Sequence, residues 1–336
     1  MAGSYAQAVR NGAMQAGRLH RRLGTEETLT ASGGSVDVFG AINALGVPLL
    51  LRPLRNLLGA FLNDPVPGIL VTTERPMSIQ RLTAAHELGH YGLDHRPSLD
   101  DETILRRMAS SQLRSDDDFQ EVEADAFAFA FMMPKWLILQ ICARQGWTVV
   151  DLRRPSIVYQ LSLRLGASYE ATYRTLRRYE LIDQHAMRDL GAVEPRQMKI
   201  ALLGDYRPSD YRGDVWLLTE RDAGWQVDGS RNDVFVLRLP EHAAGGYVWD
   251  RDELAASGYV VLRDDREGDG GGGVGSNVVR RIMGGVEAPH RGSLSITERR
   301  PWAPVPPLTT LLLGVDLTGP EEIGLSRAER RARLAV

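Results

Sequence analysis

The 336-residue chain reads as an α+β protein, with a mainly helical part to about residue 190 followed by an all-β immunoglobulin-like sandwich. Two observations predict this division. Apolar residues recur at helical spacing through most of the first part. From about residue 195 that period gives way to short β-branched runs separated by Gly, Asp and Pro, at the spacing of a sandwich. A third observation places chemistry in the helical part: His86-Glu87-Leu88-Gly89-His90 is an H-E-x-x-H pattern.

Composition narrows the function classes. Hydrophobic residues make up 43% and charged residues 25%, as in soluble globular proteins, and the length accommodates two domains. No uninterrupted apolar run reaches the roughly 18 residues that a membrane span needs. The first ten residues lack the basic-then-apolar order of a secretory signal, so a cytoplasmic protein is expected. Cys142 is the only cysteine, which excludes an intramolecular disulfide and a cysteine metal cage. A net charge of −3 argues against a general nucleic-acid binder.

In chain order, residues 1–30 hold an Ala- and Arg-rich helix. The block 31–190 opens with an amphipathic helix at 36–45, with Val36, Phe39, Ile42 and Leu45 on one face. Strands are predicted at 47–51 and 68–73, and Pro76 and Ser78 can start the helix that carries His86. The 68–73 strand is either core or an edge on which an extended peptide pairs. The polar stretch 96–118, with Asp116, Asp117 and Asp118, reads as a loop or lid. A helix follows at 121–133, and Pro134 ends it and opens the next, 135–144. Residues 156–182 have helix-turn-helix patterning around Gly166-Ala167-Ser168. Arg174, Arg177 and Arg178 there can meet phosphate, but one basic helix on an acidic chain favours a structural role.

A linker is expected at 191–212. The sandwich at 213–320 has strands at 214–219, 233–239, 258–262, 278–283, 293–297 and 308–316. The glycine run 269–275 reads as a flexible loop; no Gly-Lys-Ser/Thr follows it, which excludes a nucleotide phosphate loop. The tail 321–336 carries a short Arg/Ala helix.

The metal chemistry follows from helical spacing. His86 and His90 lie four residues apart, on one face, and can hold one metal ion. Glu87 is rotated about 100° from His86 and about 60° from His90, so it can face a water without ligating the metal. Zinc suits this donor set and leaves a position for water. Glu121 and Asp125 are likewise four apart, with Ala124 and Ala128 on the same face, small enough to pack on the Gly89 side. Glu121 completes a His-His-Glu site, and Asp125 can accept from the second nitrogen of a ligand histidine. Glu123 is the rival ligand, pointing about 160° away from Asp125. His95, five residues past His90, is a further candidate, set against a plain helix-end histidine.

Three stretches together resemble the ImmA/IrrE family of metallopeptidases: Arg81-Leu-Thr-Ala-Ala-His-Glu-Leu-Gly-His-Tyr91, Glu121-Val-Glu-Ala-Asp-Ala-Phe-Ala128, and Phe131-Met-Met-Pro134. The resemblance spans roughly residues 30–185. It implies a zincin-like fold and a zinc-dependent endopeptidase, with His86, His90 and Glu121 as ligands of Zn2+ and Glu87 as general base. It also implies a protein substrate, typically a helix-turn-helix repressor whose cleavage switches on stress-response or mobile-element genes.

In the β half, Gly246, Tyr247 and Trp249, then Gly275, then Arg300-Pro301-Trp302 fall in an order resembling the chagasin family of cysteine-peptidase inhibitors. The first loop departs from that family, since His242-Ala243-Ala244-Gly245 replaces the usual Asn-Pro-Thr-Thr. The fold survives that departure; inhibition depends on the residues that changed. A partner-docking domain is therefore the first reading, and an interaction protein that binds a papain-like cysteine peptidase is the alternative to the peptidase reading of the whole chain.

Overall fold

The computed structural model describes residues 5–100, 116–268, 278–303 and 305–334. Helix α1 (Tyr5–Leu23) buries Ala8, Gly12, Ala16 and Leu19, at the three- and four-residue spacing of an amphipathic helix. It stops at Gly24, whose φ of 60° suits glycine, and α2 (Thr25–Ser32) follows. Asp37 opens α3 (Val38–Ala44), its carboxylate accepting the backbone N–H of Gly40. Strands β1 (Leu49–Arg52), β2 (Gly59–Leu62) and β3 (Gly68–Thr72) precede the long helix α4 (Met77–Gly92). Then come β4 (Ser98–Asp100), α5 (Asp116–Met132) and, past Pro134, α6 (Lys135–Gln145). The segment Phe119–Gln145 is long and apolar enough to cross a membrane. However, Pro134 divides it and 67% of its apolar window is buried within the fold, so it serves as core. Helices α7 (Pro155–Leu165), α8 (Tyr169–Arg178), α9 (Gln184–Gly191) and α10 (Pro195–Leu203) complete the first part.

The second part runs β5 (Val215–Leu218), β6 (Gln226–Asp228), β7 (Val234–Glu241), β8 (Val248–Trp249), α11 (Arg251–Ala256), β9 (Tyr259–Gly268) and β10 (Val278–Val286). It ends with β11 (Arg291–Arg299), β12 (Thr309–Asp316), β13 (Gly324–Leu325) and α12 (Arg327–Leu334). Two four-stranded sheets, ordered β5-β7-β10-β9 and β6-β12-β11-β8, form the sandwich. Leu311, Leu313 and Val315 of β12 are buried while Thr310 and Leu312 are exposed, the alternation of a strand with one face on the core. The α+β division read from the sequence is the division seen.

A five-stranded sheet, β13-β1-β3-β2-β4, lies against α4. Its order decides between the two readings of the 68–73 strand: β3 pairs with β1 on one side and β2 on the other, so it is interior and not a peptide-pairing edge. Among the described residues the outer strand beside β2 is β4, inside the stretch expected to be loop. Four residues of β2 (Gly-Ala-Phe-Leu) are too short a run for periodicity to reveal. The stretch 191–212 is likewise not a plain linker, because α10 starts at Pro195 and buries Met198, Lys199 and Leu203. The tail is more than a helix. β13 pairs antiparallel with β1, and buried Gln80 of α4 grips the Glu321 backbone, accepting from its N–H at 2.8 Å and donating to its carbonyl at 3.1 Å.

The two parts are also joined by α7. Its buried Arg164 pairs with buried Asp222 at 2.8 Å, and Gln160 bonds both Val215 O and Leu217 N of β5 at 2.8 Å. This gives the helix-turn-helix segment its structural role. Arg174 pairs with Glu170 on its own helix, and the Arg178 guanidinium lies 5.3 Å from the Phe129 ring centroid.

Candidate metal centre

Helix α4 is buried without a break from Leu82 through His90, and His86 and His90 are each only 1% exposed. The α4–α5 crossing depends on two small residues. A side chain at Gly89 would press on the Cα and carbonyl of Ala124, at 3.1 and 3.2 Å. With neither bulk present, the backbones approach closely and the Glu121 carboxylate reaches the histidine face.

Three donor atoms converge there. His86 Nε2 and His90 Nε2 are 3.0 Å apart, and Glu121 oxygens lie 3.4 Å from the first and 3.6 Å from the second. Metal bonds of about 2.0–2.1 Å at tetrahedral angles separate ligand atoms by roughly 3.3 Å, so the spacing fits a zinc-sized ion. The chemistry also fits. His86 Nδ1 lies 3.0 Å from Asp125 Oδ1; a proton on Nδ1, the tautomer which that carboxylate favours, leaves Nε2 as an electron-pair donor. Electron-pair donors gathered this closely repel one another, and a cation among them relieves the repulsion. His86, His90 and Glu121 can therefore hold a metal.

Glu87 is completely buried, one residue round the helix from the triad. Gly59 of β2 faces it: a Cβ at that position would fall 2.6 Å from Glu87 Oε1 and 2.5 Å from Thr83 Cγ2. This glycine was not singled out from the sequence. Its only local signal is a glycine opening a short apolar run.

The rival ligands stand outside the triad. His95 Nδ1 is 3.0 Å from His90 Nδ1, and His95 Nε2 is 2.9 Å from Glu123 Oε2. Asn11 of α1 donates to the other Glu123 oxygen at 2.7 Å. Burial holds the His95 imidazole below its ordinary value of 6.5, against the opposing pull of Glu123. Tyr91 sets its ring edge-on to Phe61 at 6.4 Å, and Phe61 stacks with His90 at the same separation.

The loops of the β part gather at one end of the sandwich. Buried Glu298 accepts from the His242 backbone N–H at 2.6 Å and meets its ring Nδ1 at 3.0 Å. Gly246, at φ 77°, lies flat against Trp302, where a Cβ would come within 2.6 Å of the indole. Arg300 stacks over Tyr247 at 4.5 Å and donates to Gly245 O at 2.9 Å. Pro301 is exposed and Trp302 is 72% exposed. Trp249 differs from the other loop residues. It is only 3% exposed and donates Nε1–H to Pro240 O at 2.8 Å, so it anchors the loop from inside. Gly275 lies outside the described residues.

Residues 44–177 match the family model Peptidase_M78, described as the IrrE N-terminal-like domain. No curated protein matches the chain. Solved structures similar to about a third of it include the following two. The crystal structure of the cysteine protease inhibitor EhICP2 from Entamoeba histolytica is 21% identical, with 32% of this chain and 99% of that one covered, at a TM-score of 0.28. The solution structure of Amebosin is 22% identical, with 31% and 98% covered, at 0.23. The architecture of the β part rests on its own strand pairing. Residues 44–177, the stretch that brings α4 and Glu121 together, are thus similar to the IrrE N-terminal-like domain of the Peptidase_M78 family.

Proposed function

We propose that this chain is a zinc-dependent endopeptidase that cleaves a specific protein. The observation that supports it most is the convergence of His86 Nε2, His90 Nε2 and a Glu121 oxygen, all within 4.8 Å of one another, beside a buried glutamate. His86, His90 and Glu121 would hold a zinc ion, which would supply Lewis acidity toward a carbonyl oxygen and a water. The Glu87 carboxylate takes a proton from the water as its oxygen adds to the scissile carbonyl carbon. Glu87 then gives that proton to the amide nitrogen as the C–N bond breaks. Asp125 holds the His86 ring in the tautomer that keeps Nε2 toward the metal. An extended substrate can add to the outer edge of β4, which runs beside β2 and Gly59.

The substrate we put forward is a helix-turn-helix repressor in the cytoplasm, the target implied by the likeness to ImmA/IrrE peptidases. The surface built by His242, Gly246, Tyr247, Arg300, Pro301 and Trp302 serves recognition, since an exposed Trp beside a stacked Arg–Tyr pair has the make-up of a binding hot spot. A second reading has this surface bind a papain-like cysteine peptidase, and a papain inhibition assay with the full chain decides it.

Replacing Glu87 with Gln tests the first reading. The variant is expected to keep its zinc and to lose cleavage of the partner it captures by roughly 10²–10⁴-fold. Unchanged cleavage by Glu87→Gln contradicts the assignment.

A further inference from the structure

We infer that His95, Glu123 and Asn11 form a hydrogen-bond relay that sets the tautomer and orientation of His90 for the metal. They act as positioning residues, not as ligands. The inference rests on the zinc reading of the triad and extends it to residues that reading leaves unused.

The geometry gives each atom one role. A glutamate carboxylate accepts only, so the 2.9 Å contact between Glu123 Oε2 and His95 Nε2 places a proton on that nitrogen. A neutral imidazole with Nε2–H presents Nδ1 as an acceptor. His90 Nδ1, 3.0 Å away, must then be the donor. A neutral His90 with Nδ1–H carries its electron pair on Nε2, the atom that faces His86 Nε2 and Glu121. Reversing any link would put a proton on His90 Nε2 and close it to a metal. His86 receives the same service from Asp125 in one step. His90 receives it in two, with a second histidine interposed.

Asn11 fixes the far end of the relay. Its Nδ2 donates to Glu123 Oε1 at 2.7 Å, which holds the second carboxylate oxygen while the first meets His95. This requires α1 to lie on α5, and Gly12 permits it: a side chain there would run into Glu123 O and Phe127 N. The helix that supplies Asn11 also binds the end of α4, with Gln15 Nε2 donating to Gly92 O at 2.7 Å. Thus α1, which precedes the matched family segment at 44–177, belongs to the support of the metal site.

The test is zinc affinity of the full chain, by competition with a chromophoric chelator, together with the visible spectrum of the Co2+-loaded protein. His95→Leu removes the acceptor for His90 and is expected to weaken zinc binding roughly 10–100-fold and to alter the Co2+ spectrum. His95→Gln offers an acceptor oxygen and a donor nitrogen in the same order and is expected to recover most of the loss. Glu123→Gln, which changes one oxygen to an NH2, is expected to fall between them and supplies the test should His95→Leu not fold. Wild-type affinity and an unchanged spectrum in both His95→Leu and Glu123→Gln overturn the relay. Loss of the metal in His95→Leu as complete as in His86→Ala would make His95 a ligand and also overturn it. Wild-type protein that takes up no zinc overturns the metal reading itself, and the relay with it.

Discussion

At the scale of single residues, the site is a set of side chains whose positions are fixed by close neighbours. Asp125 Oδ1 stands 3.0 Å from His86 Nδ1, and the absence of a side chain at Gly59 leaves the Glu87 carboxylate room beside β2. Gly59→Ala is therefore expected to displace Glu87 and to destabilise the fold by about 1–3 kcal/mol, the usual cost of overpacking a buried contact. Thermal melting checks the stability, and peptide cleavage with intact zinc content checks the displacement. The grouping of His86, Glu87 and His90 is legible in the sequence because residues this close on one helix encode their own geometry. Glu121 and Asp125 are legible as a four-residue pair. Glu123 and His95 read there only as rival ligands, and Asn11 carries no signal, because Asn11 and Glu123 are 112 residues apart and only the α1–α5 packing joins them. Trp249 shows the opposite limit: its motif places it among loop residues, but burial turns it inward.

At the scale of elements, the helices were legible wherever periodicity ran long enough, as in α1, α4, α5 and α7. The short strands β2, β4, β6, β8 and β13 carry two to four residues each, and their existence is decided by pairing partners far along the chain. Helix α1 holds a further test. His20 is buried between Phe131, stacked at 4.6 Å, and Trp136, edge-on at 5.8 Å. Burial is the main cause that holds its imidazole below the ordinary 6.5, so the unfolded chain binds a proton before the folded one does. The stability that neutral His20 contributes is complete above that ordinary value and declines as pH falls through it. The His20→Phe variant is expected to lose less melting temperature than wild type between neutral pH and about pH 5. Equal losses in both proteins would contradict this.

At the scale of the whole molecule, the two parts share one hydrophobic core. The core cluster runs without a break from Phe39 and Leu88 to Trp216, Phe235 and Leu313. Arg164 and Asp222 form a buried ion pair across the junction, with Gln145 also donating to Asp222 at 2.7 Å. Asp222→Ala strands the Arg164 charge and is expected to cost about 3–5 kcal/mol, read by denaturant unfolding. A cost near zero would mean that the junction opens to water. The division into helical and β parts was legible from the change in periodicity near residue 195. Their union was not, because β13 returns to β1 by pairing Leu325 with Leu50, 275 residues apart, and Gln80 grips Glu321 across 241 residues. The reading of the whole molecule nevertheless turns on three side chains. Metal analysis of the purified full chain tests them most directly. An equimolar amount of zinc is expected in wild type and in Glu87→Gln, with loss of zinc in His86→Ala and Glu121→Ala. Wild-type protein without bound metal, or undiminished zinc in His86→Ala, would contradict the metal centre.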